Sequence, residues 1–303
     1  MSANTSYAEW IAVDWGTTHL RAWAMVGAAV KAEATSADGM GKLDRDEFEP
    51  TLLRLIEQWL GQGAMPVLAC GMVGARQGWC EAPYVAVPTD PSGLSPVTAP
   101  SRDPRLKLWI VPGLKQTQPA DVMRGEETQI AGFLSENPDF DGVLCLPGTH
   151  CKWVHLSARE VVSFQTCMTG ELFQMLAETS VLRHSIGDRD GDAEAFVEAV
   201  SDTISRPEKL SQRLFSLRSE NVLNNLSPVA ARARLSGYLI GAELASTKPY
   251  WLGQQVAIAG SPSLAAAYAA ALRTQGVEAR VHDAAPLTRA GLARIYAALT
   301  ETA

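Results

Sequence analysis

The sequence predicts an α/β chain that repeats one plan twice, giving two lobes with a cleft between them. Three observations lead there. Short apolar runs of strand length alternate with stretches of helical periodicity along most of the chain. A strand that ends in a Gly-Thr turn and opens into further strands occurs near the N-terminus and again after residue 141. At 303 residues, the chain is long enough for two ordinary domains.

The elements follow in order. Trp10 to Asp14 is a short apolar run ending at an acid, followed by the small-residue turn Gly16-Thr17-Thr18. Leu20 to Val26 and Val30 to Thr35 read as the second and third strands. Asp44 to Leu60 places Phe48, Leu52, Leu55, Ile56 and Trp59 at helical spacing, with Gly61 as the stop. Pro66 to Cys70 and Leu106 to Val111 are buried-type strands. Pro83 to Pro104, rich in Pro, Ser and Thr, reads as a long surface excursion. A helix begins near Glu126, and then the plan restarts. Gly142 to Leu146, Lys152 to Leu156 and Glu160 to Cys167 are strands, with the turn Pro147-Gly148-Thr149 after the first. Helices occupy much of Glu171 to Thr247. Gln255 to Ala259 and Val277 to Asp283 are strands, each followed by a helix, Pro262 to Gln275 and Pro286 to Leu299. The expected lobes are residues 1–124 and 125–303, with the last helix, 286–299, a candidate to pack back on the first lobe.

Hydrophobic residues make up 47% and charged residues 19%, as in a chain that buries a real core. The net charge is −7 and there is no dense Lys/Arg run, so neither nucleic acid nor an anionic membrane is an expected partner. Met1 to Trp10 lacks the charged head and apolar stretch of a signal peptide, and no membrane-spanning run exists. The five cysteines form no CxxC pair, which suits reduced thiols in the cytoplasm better than a disulfide framework or zinc site.

A strand–Gly-Thr–strand hairpin suits phosphate because glycine permits close backbone approach and a tight turn aims consecutive N–H groups at one anion. Two such hairpins facing each other could hold a triphosphate from both sides. Asp14, directly before the first turn, is positioned to hold Mg2+ through water, or to cap the turn. Val256 to Pro262 supplies a strand, a small-residue turn at Gly260-Ser261 and Pro262 at the start of an Ala-rich helix, a design suited to an adenosine. No GxxxxGK[ST], no strand-linked GxGxxG and no HExxH occurs, which disfavours P-loop and protein kinases.

Asp14-Trp15-Gly16-Thr17-Thr18 with Arg21, Leu146-Pro147-Gly148-Thr149-His150 and Ala259-Gly260-Ser261-Pro262 together resemble the two phosphate motifs and the adenosine motif of the actin, hexokinase and heat-shock chaperone superfamily. The sequence is most similar to the 2-dehydro-3-deoxygalactonokinase family. That likeness extends through Gly71-Met72-Val73-Gly74-Ala75-Arg76, through Asp121-Val122-Met123-Arg124-Gly125-Glu126-Glu127-Thr128-Gln129, and through Met168-Thr169-Gly170-Glu171. It implies a duplicated ribonuclease-H-like fold and ATP- and Mg2+-dependent phosphorylation of 2-dehydro-3-deoxy-D-galactonate at its 6-hydroxyl, in galactonate breakdown.

The resemblance also proposes roles. Gly125-Glu126 stands where related kinases carry a Gly-acid pair that provides the catalytic base; the usual acid is aspartate, so the glutamate is a departure, and Asp121 is the reserve candidate. Arg21, Lys152 and His150 join the hairpins on the phosphate side, with Lys152 and His150 also competing for the substrate carboxylate. Gly71, Met72, Arg76, Gln77 and Trp79 form the expected sugar loop, with Arg76 and Arg124 as candidate partners of the substrate carboxylate. Glu171 either contacts substrate hydroxyls or caps a helix. The alternatives are another sugar-acid kinase of the same fold, for example on 2-dehydro-3-deoxygluconate, or a nucleotide-dependent conformational switch. A homodimer is compatible with the habit of small metabolic enzymes.

Overall fold

A computed structural model describes residues 8–189 and 191–301; most of the polar N-terminal stretch read above lies outside them. The chain divides into two compact units. The first comprises residues 1–140, 157–163 and 284–303, and the second 141–156 and 164–283.

The first unit opens with β1 (Trp10–Trp15), β2 (Leu20–Val26) and β3 (Ala29–Ser36), an antiparallel meander. Helix α1 (Phe48–Ile56) follows, flanked by short 3₁₀ turns that account for the longer helix expected from the sequence. Then come β4 (Met65–Gly71), β5 (Val85–Ala86), β6 (Val97–Thr98), β7 (Leu106–Ile110), β8 (Leu114–Thr117), β9 (Ala120–Met123) and α2 (Glu126–Glu136). The main sheet runs β3-β2-β1-β4-β7-β6, with β1, β4 and β7 parallel. A small sheet, β5-β8-β9, is folded from the Pro-rich excursion and the hairpin that follows it.

The second unit repeats that order. Its strands β10 (Gly142–Leu146), β11 (Cys151–Ser157) and β12 (Glu160–Cys167) are followed by α3 (Thr169–Glu178), α4 (Ala193–Ser205), α5 (Leu210–Asn224), α6 (Pro228–Ser246) and the short α7 (Lys248–Trp251). Then come β13 (Val256–Gly260), α8 (Pro262–Arg273) and β14 (Arg280–Asp283). The sheet order β12-β11-β10-β13-β14 matches β3-β2-β1-β4-β7 strand for strand, and β10, β13 and β14 are parallel as β1, β4 and β7 are. The last helix, α9 (Ala284–Glu301), lies with the first unit.

Strand alternation decides what each face of the first sheet carries. Ile11, Val13 and Trp15 point toward α1 and pack with Phe48, Leu52 and Ile56. Trp10, Ala12 and Asp14 point to the other face, where Trp10 stacks on Tyr296 of α9 with ring centroids 4.2 Å apart. Helices α2 and α9 meet where Gly132 lies against the Leu287 carbonyl and Gly291 against that of Thr128, leaving no room for a Cβ at either glycine. That backbone-to-backbone approach puts α2 with the first unit.

Candidate active site

At the carboxyl end of β1, Asp14 is held by Arg21, with Nη2 to Oδ2 at 2.6 Å. The antiparallel register sets the two residues side by side. Burial raises the Asp14 carboxyl above its ordinary value; Arg21 pulls it back down, and the neighbouring Glu126 adds to the rise. The turn beyond Asp14 is braced from behind. Gly16 donates its amide to the His19 carbonyl, while Met40 and Gly41 donate theirs to the carbonyls of Gly16 and Thr17, each at 3.0 Å. Thr17 and Thr18 are left exposed.

The parallel neighbour of β1 ends beside Asp14. Gly71 has φ +93°, and a Cβ there would stand 2.7 Å from the Trp15 carbonyl oxygen. Gly125 has φ +105° and packs against Gly71, where a Cβ would lie 3.4 Å from the Gly71 Cα. Only glycine meets both demands without strain, and the result brings the start of α2 to the end of β1.

Two acids open that helix. Glu126 is half-buried and its Oε2 accepts the Arg124 amide at 3.0 Å. Glu127 is fully buried and its Oε2 accepts the Gly125 amide at 2.7 Å. Burial pushes the Glu127 carboxyl up to about 8, the charge of Glu126 pushes the same way, and the backbone amides offset part of the rise. The Cys70 thiol, 4.0 Å from Asp14 Oδ1, is raised by burial and by the charges of Asp14 and Glu127. Asp14, Cys70, Glu126 and Glu127 therefore form one cluster. Asp121 sits apart in the β8–β9 hairpin, opposite Gln116.

Arg124 is 8% exposed. Its Nη2 donates to the Ala82 carbonyl at 2.7 Å and its guanidinium lies 4.3 Å from the centre of the Tyr84 ring. Its Nε and Nη1 have no hydrogen-bond partner. Gly74 leaves the space beside it, since a Cβ there would be 2.8 Å from Nη1. Arg76 and Gln77 are exposed, and the Arg76 carbonyl accepts from Arg45 at 2.8 Å. Trp79 is buried on the α1 face with Trp15 and Phe48, its indole donating to the Pro100 carbonyl at 3.0 Å. The structure thus separates the loop residues Arg76, Gln77 and Trp79 from the acid cluster, and keeps Gly71 and Arg124 with it.

In the second unit, the Gly148–His150 turn is tied to the start of α3. Glu171 donates its amide to the Thr149 carbonyl at 3.0 Å, and its carboxylate meets His150 Nε2 at 2.6 Å. Lys152 is 3% exposed and its Nζ donates to the His150 carbonyl at 3.1 Å. Gly260 packs on Pro147, where a Cβ would stand 3.0 Å from the ring, so the two motifs of this unit adjoin. Beside them opens a cavity of about 640 Å³ whose lining includes Gly148, Gly170, Phe173, Arg232, Ser261 and Tyr268. The Arg232 guanidinium lies 4.8 Å from the Phe173 ring centre. Nothing in the sequence singles out Phe173, Arg232 and Tyr268, which at helical spacing read as ordinary helix residues.

A family model described as 2-keto-3-deoxy-galactonokinase matches residues 14–295, from Asp14 at the acid cluster almost to the end of α9. The chain belongs to that family. Its members are phosphotransferases with an alcohol acceptor. A Rhizobium meliloti (strain 1021) protein, "Probable 2-dehydro-3-deoxygalactonokinase DgoK1", is 38% identical over 95% of this chain and 96% of its own length. The 2-dehydro-3-deoxygalactonokinase of Escherichia coli (strain K12) is 34% identical over 89% of this chain and 91% of its own. A crystal structure of a Sinorhizobium meliloti protein with the same provisional kinase name superposes with a TM-score of 0.89 at 38% identity, covering 96% of both chains. The ADPNP-bound activator of 2-hydroxyisocaproyl-CoA dehydratase from Clostridium difficile superposes at 0.54 with 14% identity, covering 97% of this chain and 96% of that one. That likeness concerns the fold, the duplicated α/β plan of the actin and hexokinase type. No described helix of this family member is long and apolar enough to cross a membrane.

Proposed function

We propose that this kinase moves the terminal phosphate of ATP onto the 6-hydroxyl of 2-dehydro-3-deoxy-D-galactonate, a step in galactonate breakdown. Arg124 is the observation that supports it most. A buried guanidinium with two unpaired nitrogens is costly unless an anion completes it. A 2-keto acid brings a planar carboxylate that a guanidinium binds through two parallel bonds. The Tyr84 ring covers one side of the Arg124 guanidinium. Two residues further on stands Glu126, its Cα at most about 7 Å from that of Arg124, so one small sugar acid can meet both side chains.

The residues also fit the nucleotide. A cavity of about 640 Å³ lies in the size range of small-ligand sites. The backbone of Gly148 faces open space, and α8 begins at the Ser261-Pro262 turn, with its first amides free to receive an anion. Phe173 and Arg232 offer a flat wall for the base. Asp14 keeps Oδ1 free of Arg21, and one carboxylate oxygen with waters and phosphate is the habitual Mg2+ arrangement. Mg2+ there would neutralise charge on the transferring phosphoryl group. Glu126 orients the acceptor hydroxyl and takes its proton.

The test is ADP release from ATP–Mg2+ with a panel of sugar acids and neutral sugars. Strongest stimulation by 2-dehydro-3-deoxygalactonate is expected. A better response to the gluconate epimer would overturn the substrate, and ADP release that no sugar alters would overturn phosphoryl transfer altogether.

A further inference from the structure

Glu243 lies in the last turn of α6, only 4% exposed, and takes no part in the chemistry described above. Its Oε1 accepts the Trp153 indole N–H at 2.7 Å. Its Oε2 accepts the Tyr268 hydroxyl at 2.7 Å and also the Thr169 hydroxyl. The three donors come from β11, α8 and α3. A carboxylate is acceptor-only, so one side chain satisfies all three at once.

Those donors are not scattered. Thr169 and Tyr268 both line the nucleotide-sized cavity. Trp153 stands on the strand that leaves the Gly148–His150 turn. Thr169 is followed by Gly170, which lies so close to the Gly148 carbonyl that a Cβ has no space, and by Glu171, whose amide holds the Thr149 carbonyl at 3.0 Å. The carboxylate thus reaches, through Thr169, the segment that braces the second phosphate turn, and through Tyr268 the cavity wall.

We propose that Glu243 is the positioning residue of the nucleotide site: it touches no ligand, and it locks the cavity wall and the second phosphate turn in one geometry. The inference rests on the reading that this cavity takes ATP. A preformed site binds more tightly because less ordering is left to be done when the ligand arrives, and a fully satisfied buried network supplies that rigidity.

The conservative variant Glu243→Gln separates the parts. Indole N–H cannot accept a hydrogen bond, so the amide oxygen must stay with Trp153. The amide NH₂ then faces the Tyr268 and Thr169 hydroxyls, which lose their acceptor. ADP affinity, read by calorimetry without sugar, is expected to weaken on the order of ten- to a hundredfold. The KM for the sugar acid at saturating ATP should stay near that of the wild type. Thr169→Val removes one donor while keeping its shape and should weaken ADP binding in the same sense; it decides the matter if Glu243→Gln does not fold. Full ADP affinity in Thr169→Val, or in a folded Glu243→Gln, overturns the proposal. So does an equal loss on both substrates, which marks a residue that merely holds the fold. Wild-type protein that binds no ADP would bring down the cavity reading and this inference together. Wild-type protein that binds ADP but ignores the keto acid would cost only the substrate reading.

Discussion

Glu127 should make the first unit less stable as pH rises. Its carboxyl is pushed up to about 8 by burial, against 4.5 for an unhindered glutamate. Between those values the native chain holds a proton that the unfolded chain has released, so stability attributable to this group is fully present below about 4.5 and declines as pH climbs to about 8. At 1.36 kcal/mol per unit, that gap corresponds to roughly 5 kcal/mol as an upper bound. Glu127→Gln stays neutral at every pH and keeps an oxygen for the Gly125 amide. The variant should therefore match the wild type near pH 5 and be more stable near pH 9, by at least about 2 kcal/mol. Urea melts followed by tryptophan fluorescence suit the test, because six of the eight tryptophans lie in the first unit. A stability difference that stays flat from acid to alkaline pH would refute the reasoning and show Glu127 ionised in the native state.

Three further outcomes follow from the same cluster. Glu126→Gln should lose on the order of a hundredfold or more in turnover while ADP affinity, measured by calorimetry, stays close to wild type; near-normal turnover would remove Glu126 from the role of base. Arg124→Lys keeps the charge but loses the two-pronged geometry, so kcat/KM for the keto acid should fall by at least about tenfold while a neutral analogue lacking the carboxylate is spared; equal losses on both would make Arg124 a fold residue. Gly71→Ala sets a Cβ 2.7 Å from the Trp15 carbonyl at φ +93°, and should cost roughly 2–4 kcal/mol of stability in thermal or urea melts, whereas an unchanged melt would mean that the β4 end shifts freely.

Much of this protein is written locally. Strand-length apolar runs, the Gly-Thr turns after Asp14 and Leu146, and Gly125-Glu126 at a helix start are short-range signals, and the recurrence of the runs and turns marks the duplicated α/β plan. Such signals lose resolution where propensity is weak, as at β14, which begins at Arg280 rather than at Val277. Tertiary structure alone decided which side chains share a space. Trp15 and Trp79 adjoin site turns in sequence, yet strand alternation and α1 draw both into the core. Glu127 and Glu126 are neighbours of the same type, and only helix packing buries one and leaves the other partly open. Arg76 and Arg124 are equal candidates on paper, but one lies in solvent and the other beneath Tyr84 without a full set of partners. Phe173, Arg232, Tyr268 and Glu243 belong to helices whose sequence speaks of periodicity and not of partners. Helical spacing states which residues lie on one face; what that face meets depends on chain far away in sequence, and the cavity exists only once α3, α6 and α8 have packed.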